Sequence, residues 1–307
     1  MKIHILLATF QSERFLAEQL DSILLQDYGD FLLFIRDGGS TDSTLSIIRE
    51  YEKKDSRIRF LGRKKEGAKE NFSNLMQEGS GGDLYLFSDH DDVWFPHKLS
   101  TLLKLYRELE TENPPGIPLL VFSDSTVTDD SLHVISPSLF RYQNLDPENM
   151  DLSRLLLQNV PSGNTMLFNE ALRLKAGTIP EKAVMHDHFM ALAISVFGKY
   201  TYCREPLLFY RQHKKNIYGA RAYSPAGFFR KLLAGPQAIR RRFYENIEQA
   251  ESFLELYEKE LAPEEKLMLS SLVMLEKKGF WERRKILWKY HIRKSGFFRN
   301  LGMYIIV

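Results

Sequence analysis

One cysteine in 307 residues, Cys203, leaves no intrachain disulfide framework and no cysteine-rich zinc site, which suits a reducing compartment. No apolar run approaches the roughly 20 residues that span a bilayer. The opening apolar stretch, Met1 to Thr9, is too short and too poorly flanked for a signal peptide, so a cytoplasmic location is the expectation. Two phosphate-binding signatures are also missing. Gly62-x-x-x-x-Gly67 is followed by Ala68 instead of lysine, and no Gly-x-Gly-x-x-Gly follows a strand, so P-loop and hydride-transfer chemistry have little support. No His-Glu-x-x-His occurs, and no internal repeat or low-complexity tract interrupts the chain. Hydrophobic and charged fractions of 44% and 27% belong to an ordinary globular protein and exclude extensive disorder.

The first half alternates strand-like and helix-like segments. Apolar runs at Ile3–Ala8, Phe31–Arg36, Ile58–Leu61 and Leu84–Phe87 read as strands, and the periodicity predicts helices over 13–26, 43–54, 69–77 and 97–110. Strands joined by helices of that length imply parallel pairing through crossovers, hence an α/β sheet. Ligands of such sheets sit beyond the carboxyl ends of the strands. Thr9, Asp37 and Asp89 all fall there. A further strand is expected at Leu119–Phe122, a turn at Pro161–Asn164, a helix over 187–197, a strand near Tyr200–Cys203, and the segment 207–213 after it. Helical periodicity dominates after about Gly219, clearest over 243–260 and 264–278, which places a boundary near 215–225.

Leu84-Tyr-Leu-Phe-Ser-Asp-His-Asp-Asp-Val-Trp94 carries the most chemistry. A buried strand that ends in Asp89, Asp91 and Asp92 brings like charges within a few ångströms, and something positive must offset their repulsion. A divalent cation with a phosphate ligand would do so, because magnesium and manganese take one or two protein carboxylates and fill their other positions with water and phosphate. The alternative is an acidic loop that caps the helix beginning near His97. Ile35-Arg-Asp-Gly-Gly-Ser-Thr-Asp-Ser-Thr44 likewise reads either as part of a site or as a plain strand-to-helix turn.

Ala8–Ile23, Asp37-Gly-Gly-Ser-Thr-Asp42, Ser88-Asp-His-Asp-Asp-Val-Trp94, His186-Asp-His188 and Tyr210-Arg-Gln-His213 occur in the order found in family-2 inverting glycosyltransferases, and the chain resembles the bacterial rhamnosyltransferase-like branch of surface-glycan assembly. The resemblance covers roughly residues 1–220. It implies a GT-A type nucleotide-sugar-binding α/β fold, a mixed sheet flanked by helices, as a catalytic domain over 1–220, followed by a helical, basic region over 221–307. It further implies that Asp187 is the catalytic base, and that Thr9, Gln11, Glu13, Asp37, Lys69, Asn71, Asp89 and Arg211 bind the donor. Asp91 and His213 are implied to hold Mn2+ or Mg2+. Ser162, Gly163, Asn164 and Trp94 are implied on the acceptor side, with Trp94 either stacking on sugar or stapling the loop. The family commonly has an acid before the aspartate of the second motif, where this chain has Arg36. Lys69 has a second use as part of a solvated helix face, and Asp187 a second use as a helix N-cap.

The implied activity is inverting, metal-dependent transfer from dTDP-rhamnose or a UDP-hexose to a lipid-linked or protein-linked glycan. A sugar-nucleotide nucleotidyltransferase is the competing enzyme class, but Ala8–Arg14 lacks the Gly-rich basic loop of such enzymes. A non-catalytic nucleotide-sugar-binding partner would be expected to lack the metal carboxylates or the base, and this chain keeps both. From Lys277 to Arg299 there are nine Lys or Arg and one acid, Glu282, interleaved with aromatic and aliphatic residues. That composition suits either the inner face of a membrane or a homo-oligomeric helical contact. No nucleic-acid module accompanies the charge, so nucleic acid is not an expected partner.

Overall fold

The computed structural model describes residues 1–214, 216, 219–224 and 237–307. Four parallel strands carry the first half: β1 (Ile3–Thr9), β2 (Phe31–Asp37), β3 (Ile58–Arg63) and β4 (Leu84–Ser88). Their crossovers are α1 (Leu16–Leu24), α2 (Thr44–Lys54) and α3 (Ala68–Glu78). Every residue of β1 and β4 is buried, which is why these strands read as unbroken apolar runs. After the two-residue β5 (Val93–Trp94) and α4 (Lys98–Thr111), β6 (Leu119–Thr128) and β7 (Val134–Ser136) pair antiparallel.

Two short helices follow, α5 (Leu139–Gln143) and α6 (Leu152–Leu155), then a 3-10 turn at Gly163–Thr165, β8 (Met166–Asn169), α7 (Glu170–Ala176), α8 (His186–Phe197) and β9 (Lys199–Arg211). The strand order is β3-β2-β1-β4-β8-β6-β9-β5, with β7 on β6. β8 runs antiparallel to both β4 and β6, so the sheet is mixed, as the GT-A expectation required. β9 is one strand where two segments were expected. Its pairing with β6 slips around Asp124 and Pro206, and that irregularity accommodates a proline that cannot donate to the ladder.

Side-chain alternation sends β1 into two cores. Leu6 joins Phe72, Phe87 and Phe189 on one face, while Ile5 and Leu7 join Leu16, Leu20 and Ile35 on the other. The C-terminal helices α9 (Gln237–Tyr257), α10 (Pro263–Val273), α11 (Phe280–Lys289) and α12 (Phe297–Ile306) add to the first core. Phe253 meets Phe189 edge-on at 5.7 Å, so α9 and α8 share one hydrophobic interior. The segment that contains the expected boundary falls partly outside the described residues. Among those described, no helix is long and apolar enough to cross a membrane.

Candidate active site

The carboxyl ends of β1, β2 and β4 lie side by side, with Thr9 opposite Asp37 and Leu7 opposite Ser88. Asp37 is fully buried and accepts four hydrogen bonds, from the Thr9 hydroxyl (3.0 Å), the Gly39 and Ser40 amides (3.0 and 2.8 Å) and the Ser40 hydroxyl (2.6 Å). It therefore builds the Gly38–Ser40 turn, in which Gly39 takes a φ of 102° that only glycine adopts without strain. Gln11 and Glu13 face the same loop. The Gln11 amide oxygen accepts from the Thr41 amide at 2.8 Å, and the Glu13 carboxylate accepts from the Ser43 amide at 3.0 Å, so both satisfy donors at the start of α2. Arg36, the departure from the family pattern, is buried in ion pairs with Glu66 (2.9 Å) and Glu78 (2.8 Å). It ties β2 to the two ends of α3.

Beyond β4 the acid motif spreads into distinct environments. Asp91 accepts from His213 Nε2 at 2.8 Å and from the Asn216 amide at 3.2 Å, while His213 stacks on Phe15 at 5.0 Å. Burial would raise the Asp91 carboxyl, but the His213 hydrogen bond and the positive fields of His90 and His213 hold it below the usual carboxylate range. Asp92 is fully buried and accepts from the Asn164 side-chain amide at 2.5 Å; burial, then the Asp91 charge, push it up to about 8. Asp89 is raised well above its ordinary value by burial and by the charges of Asp92, Asp91 and Asp187. For Asp89 and Asp92, burial and neighbouring carboxylates outweigh the positive charge of Lys98.

Lys98, the source of that positive charge, is a residue that sequence reasoning missed because lysine is normally exposed. Its side chain is completely buried, 3.6 Å from the Trp94 ring centroid, and its ammonium donates to the Asn164 carbonyl at 2.6 Å. Burial drags its pKa well below the ordinary lysine value, against the pull of Asp92 and Asp89. Trp94 is 2% exposed, so it staples the loop over Lys98 and has no open face for a sugar. Asn164 bridges Lys98 to Asp92, and Gly163 donates its amide to Asp187 at 3.0 Å. The 163–164 turn thus ties the acid motif to the N-terminus of α8.

Asp187 occupies the first turn of α8, accepting also from the His188 amide at 2.7 Å. Burial lifts its carboxyl to about 6, against the Gly163 and His188 amides. Beneath it, His186 stacks on Phe72 at 4.0 Å and meets Phe87 edge-on at 4.5 Å, and burial holds its pKa down to about 3. His188 donates to the Leu155 carbonyl at 2.5 Å and is held down to about 4 for the same reason. Two neutral imidazoles thereby pack the floor under the carboxylate.

Three expected donor contacts are spent elsewhere. Lys69 donates to the Glu181 and Ala183 carbonyls, clamping the segment before α8 instead of facing solvent. Arg211, 3% exposed, donates to the Asp91 and Asp130 carbonyls at 2.8 Å each, pairs with Glu18 and lies over Phe15. Asn71 donates to the Arg36 carbonyl at 3.1 Å and keeps a buried oxygen without a partner. Among the described residues no group of three metal-type ligands converges. The Asp91–His213 pair still fits a hard divalent ion that relies on phosphate and water for its remaining positions.

A family model described as "Glycosyl transferase family 2" matches residues 4–173. The chain is 27% identical over 251 residues to the dTDP-rhamnosyl transferase RfbG of Shigella flexneri, covering 78% of this chain and 80% of that one. Among solved structures it resembles S. aureus TarS 1-349 in complex with UDP (TM-score 0.58, 16% identity, 94% of this chain and 80% of that one). It also resembles the mannosyltransferase PcManGT from Pyrobaculum calidifontis in complex with GDP-Man and Mn2+ (TM-score 0.54, 16% identity, 93% and 73%).

Proposed function

Because the chain belongs to glycosyl transferase family 2, we propose that this member catalyses inverting transfer from a nucleoside-diphosphate sugar, dTDP-rhamnose or a UDP-hexose, to a hydroxyl of a bacterial surface glycan, lipid-linked or built on protein. The observation that carries it is the 163–164 turn, which fastens a carboxylate with a pKa near 6 to the acid motif through two hydrogen bonds, one from the Gly163 amide and one from the Asn164 side chain. Asp187 takes the acceptor hydroxyl proton as that oxygen bonds to the anomeric carbon. The bond from that carbon to the donor phosphate breaks, and its electron pair leaves with the nucleoside diphosphate. Asp91 and His213 are the residues to hold Mn2+ or Mg2+, which would offset the charge that develops on the diphosphate.

Thr9 and Asp37, with Gln11 and Glu13, shape the nucleoside end of the site through the turns they fasten. Asp89 faces the donor, while Lys69, Asn71 and Arg211 fix the walls around it. Residues 1–220 act as the catalytic unit, and 221–307 as a membrane-docking or assembly unit on the cytoplasmic side. RfbG's description favours dTDP-rhamnose as the first donor to test. A panel of dTDP- and UDP-sugars, scored for release of nucleoside diphosphate with and without manganese, tests the proposal. One donor turned over only with the metal supports it, and no turnover of any donor opposes it.

Gly163 has a measurable consequence of its own. A Cβ there would lie 2.8 Å from His186 Nε2 and 3.4 Å from the Asp187 Cβ, and His186 is wedged between two phenylalanines. Gly163→Ala is therefore expected to displace Asp187 and lower turnover by roughly 10²-fold, the scale of a 1 Å misplacement. Steady-state kinetics beside circular dichroism check this, and a fully active variant would show that the turn does not position the base.

A further inference from the structure

Apart from Phe10, every exposed large aromatic side chain among the described hydrophobics lies within residues 280–297. Trp281 and Trp288, 74% and 75% exposed, stand seven residues apart on α11 beside the exposed Phe280. Phe297, Leu301 and Ile305 follow at intervals of four along the outer face of α12, while Met303 and Val307 turn into the core. The two helices join end to end. Arg283 donates to the Val307 carbonyl at 3.1 Å and Arg284 donates to the Tyr304 carbonyl, so the start of α11 meets the finish of α12. Phe280 opens α11 and Ile305 falls in the last turn of α12, so the exposed apolar side chains of the two helices are brought to one region of the molecule by this junction.

That surface is ringed by cations. The span Lys277–Arg299 contributes nine Lys or Arg against Glu282. Lys277, Lys278, Lys285, Lys289 and Arg293 are exposed. Arg299 hydrogen-bonds only to main-chain carbonyls and lies over Tyr223, so its charge is not cancelled by an acid among the described residues. Lys294 feels two further like charges, Arg242 and Arg299. A second copy of the same surface across a two-fold axis would set these cations against one another. Tryptophan and phenylalanine rimmed by lysine and arginine are instead the composition that settles at the headgroup level of a bilayer.

We propose that α11 and α12 dock on an anionic phospholipid membrane, with Trp281, Trp288, Phe297, Leu301 and Ile305 entering the interface and the basic rim meeting lipid phosphates. This chooses between the two uses of residues 221–307 given above, and rests on the proposed acceptor reaction for its purpose, since a lipid-linked glycan lies at such a surface. The test is flotation of the full chain with vesicles of phosphatidylcholine alone, and of phosphatidylcholine with phosphatidylglycerol in equal amounts. The chain is expected to float with the mixed vesicles, to stay behind with phosphatidylcholine, and to be released by raised salt.

Paired substitutions Trp281→Ser with Trp288→Ser, and Phe297→Ser with Ile305→Ser, should each lower vesicle affinity by about tenfold or more. Their manganese-dependent donor turnover in detergent-free buffer should be unchanged, which separates this proposal from the reaction itself. Absence of flotation with mixed vesicles overturns the proposal, as does flotation indifferent to both pairs. A sedimentation mass of a dimer that either pair reduces to a monomer would also overturn it, and would assign the surface to a second copy.

Discussion

Asp187→Asn is expected to lower turnover by about 10²–10⁴-fold, the range that a positioned general base contributes, while leaving donor affinity within experimental error. The substitution keeps the shape and one of the two contacts, since the amide oxygen can accept from either the His188 or the Gly163 amide but its NH2 group cannot accept from the other, and it removes the proton acceptor. The pH profile supplies a second readout. Burial raises this carboxyl to about 6, and it works only when ionised, so wild-type turnover should climb as pH rises through about 6 and fall away below it. That limb should vanish in the variant. Undiminished transfer by Asp187→Asn, or an unchanged acid limb, would assign the base elsewhere.

The front half of the sheet was legible because its strands are buried on both faces and its crossover helices carry one apolar stripe. Residues 3, 31, 58 and 84 open strands as the apolar runs indicated. The rest depends on partners that local pattern does not reveal. β5 is two residues long and exists only through its pairing with Leu208 and Phe209 of β9. β8 hides between a turn and a helix, and its antiparallel insertion between β4 and β6 is a tertiary fact.

The site divides the same way. Asp37, Asp89 and the acids after it stood out as charged residues at strand ends, whereas His213 and Asp187 were singled out by the family resemblance. What each one touches did not stand out. Asp37 spends three of its four hydrogen bonds on its own turn and the fourth on Thr9, Arg211 is locked against Phe15 and Glu18, and Lys98 lies buried at the start of a helix. Asn216 carried no signal of its own, since a single asparagine in a polar loop is ordinary. It reaches Asp91 only because the chain after β9 turns back, with the His213 amide donating to its side-chain oxygen at 2.5 Å.

Asp91→Asn carries the other large effect. The substitution removes the one acid of the motif whose pKa is held low, and with it the charge that faces His213. A divalent ion contributes several kcal/mol of charge stabilisation to a departing phosphate, so at about 1.4 kcal/mol per factor of ten the rate should fall by roughly 10³-fold at fixed manganese. Asn216→Ala, which loses the 3.2 Å bond to Asp91 and the side-chain bonds to the His213 amide and the Arg211 carbonyl but keeps the Asp91 charge, should cost about 10–100-fold, as outer partners of metal ligands do. Turnover measured across manganese concentrations checks both. Equal losses in the two variants would show that Asp91 merely supports the loop.

The most direct measurement is calorimetric titration of the unmodified protein with the nucleoside diphosphate of its preferred donor, first with manganese and then with excess EDTA. Tight binding that the chelator abolishes, and that Asp91→Asn lacks under either condition, is the result predicted by a cation held between Asp91, His213 and the diphosphate. Binding of the same strength with EDTA, unaltered by Asp91→Asn, would contradict it.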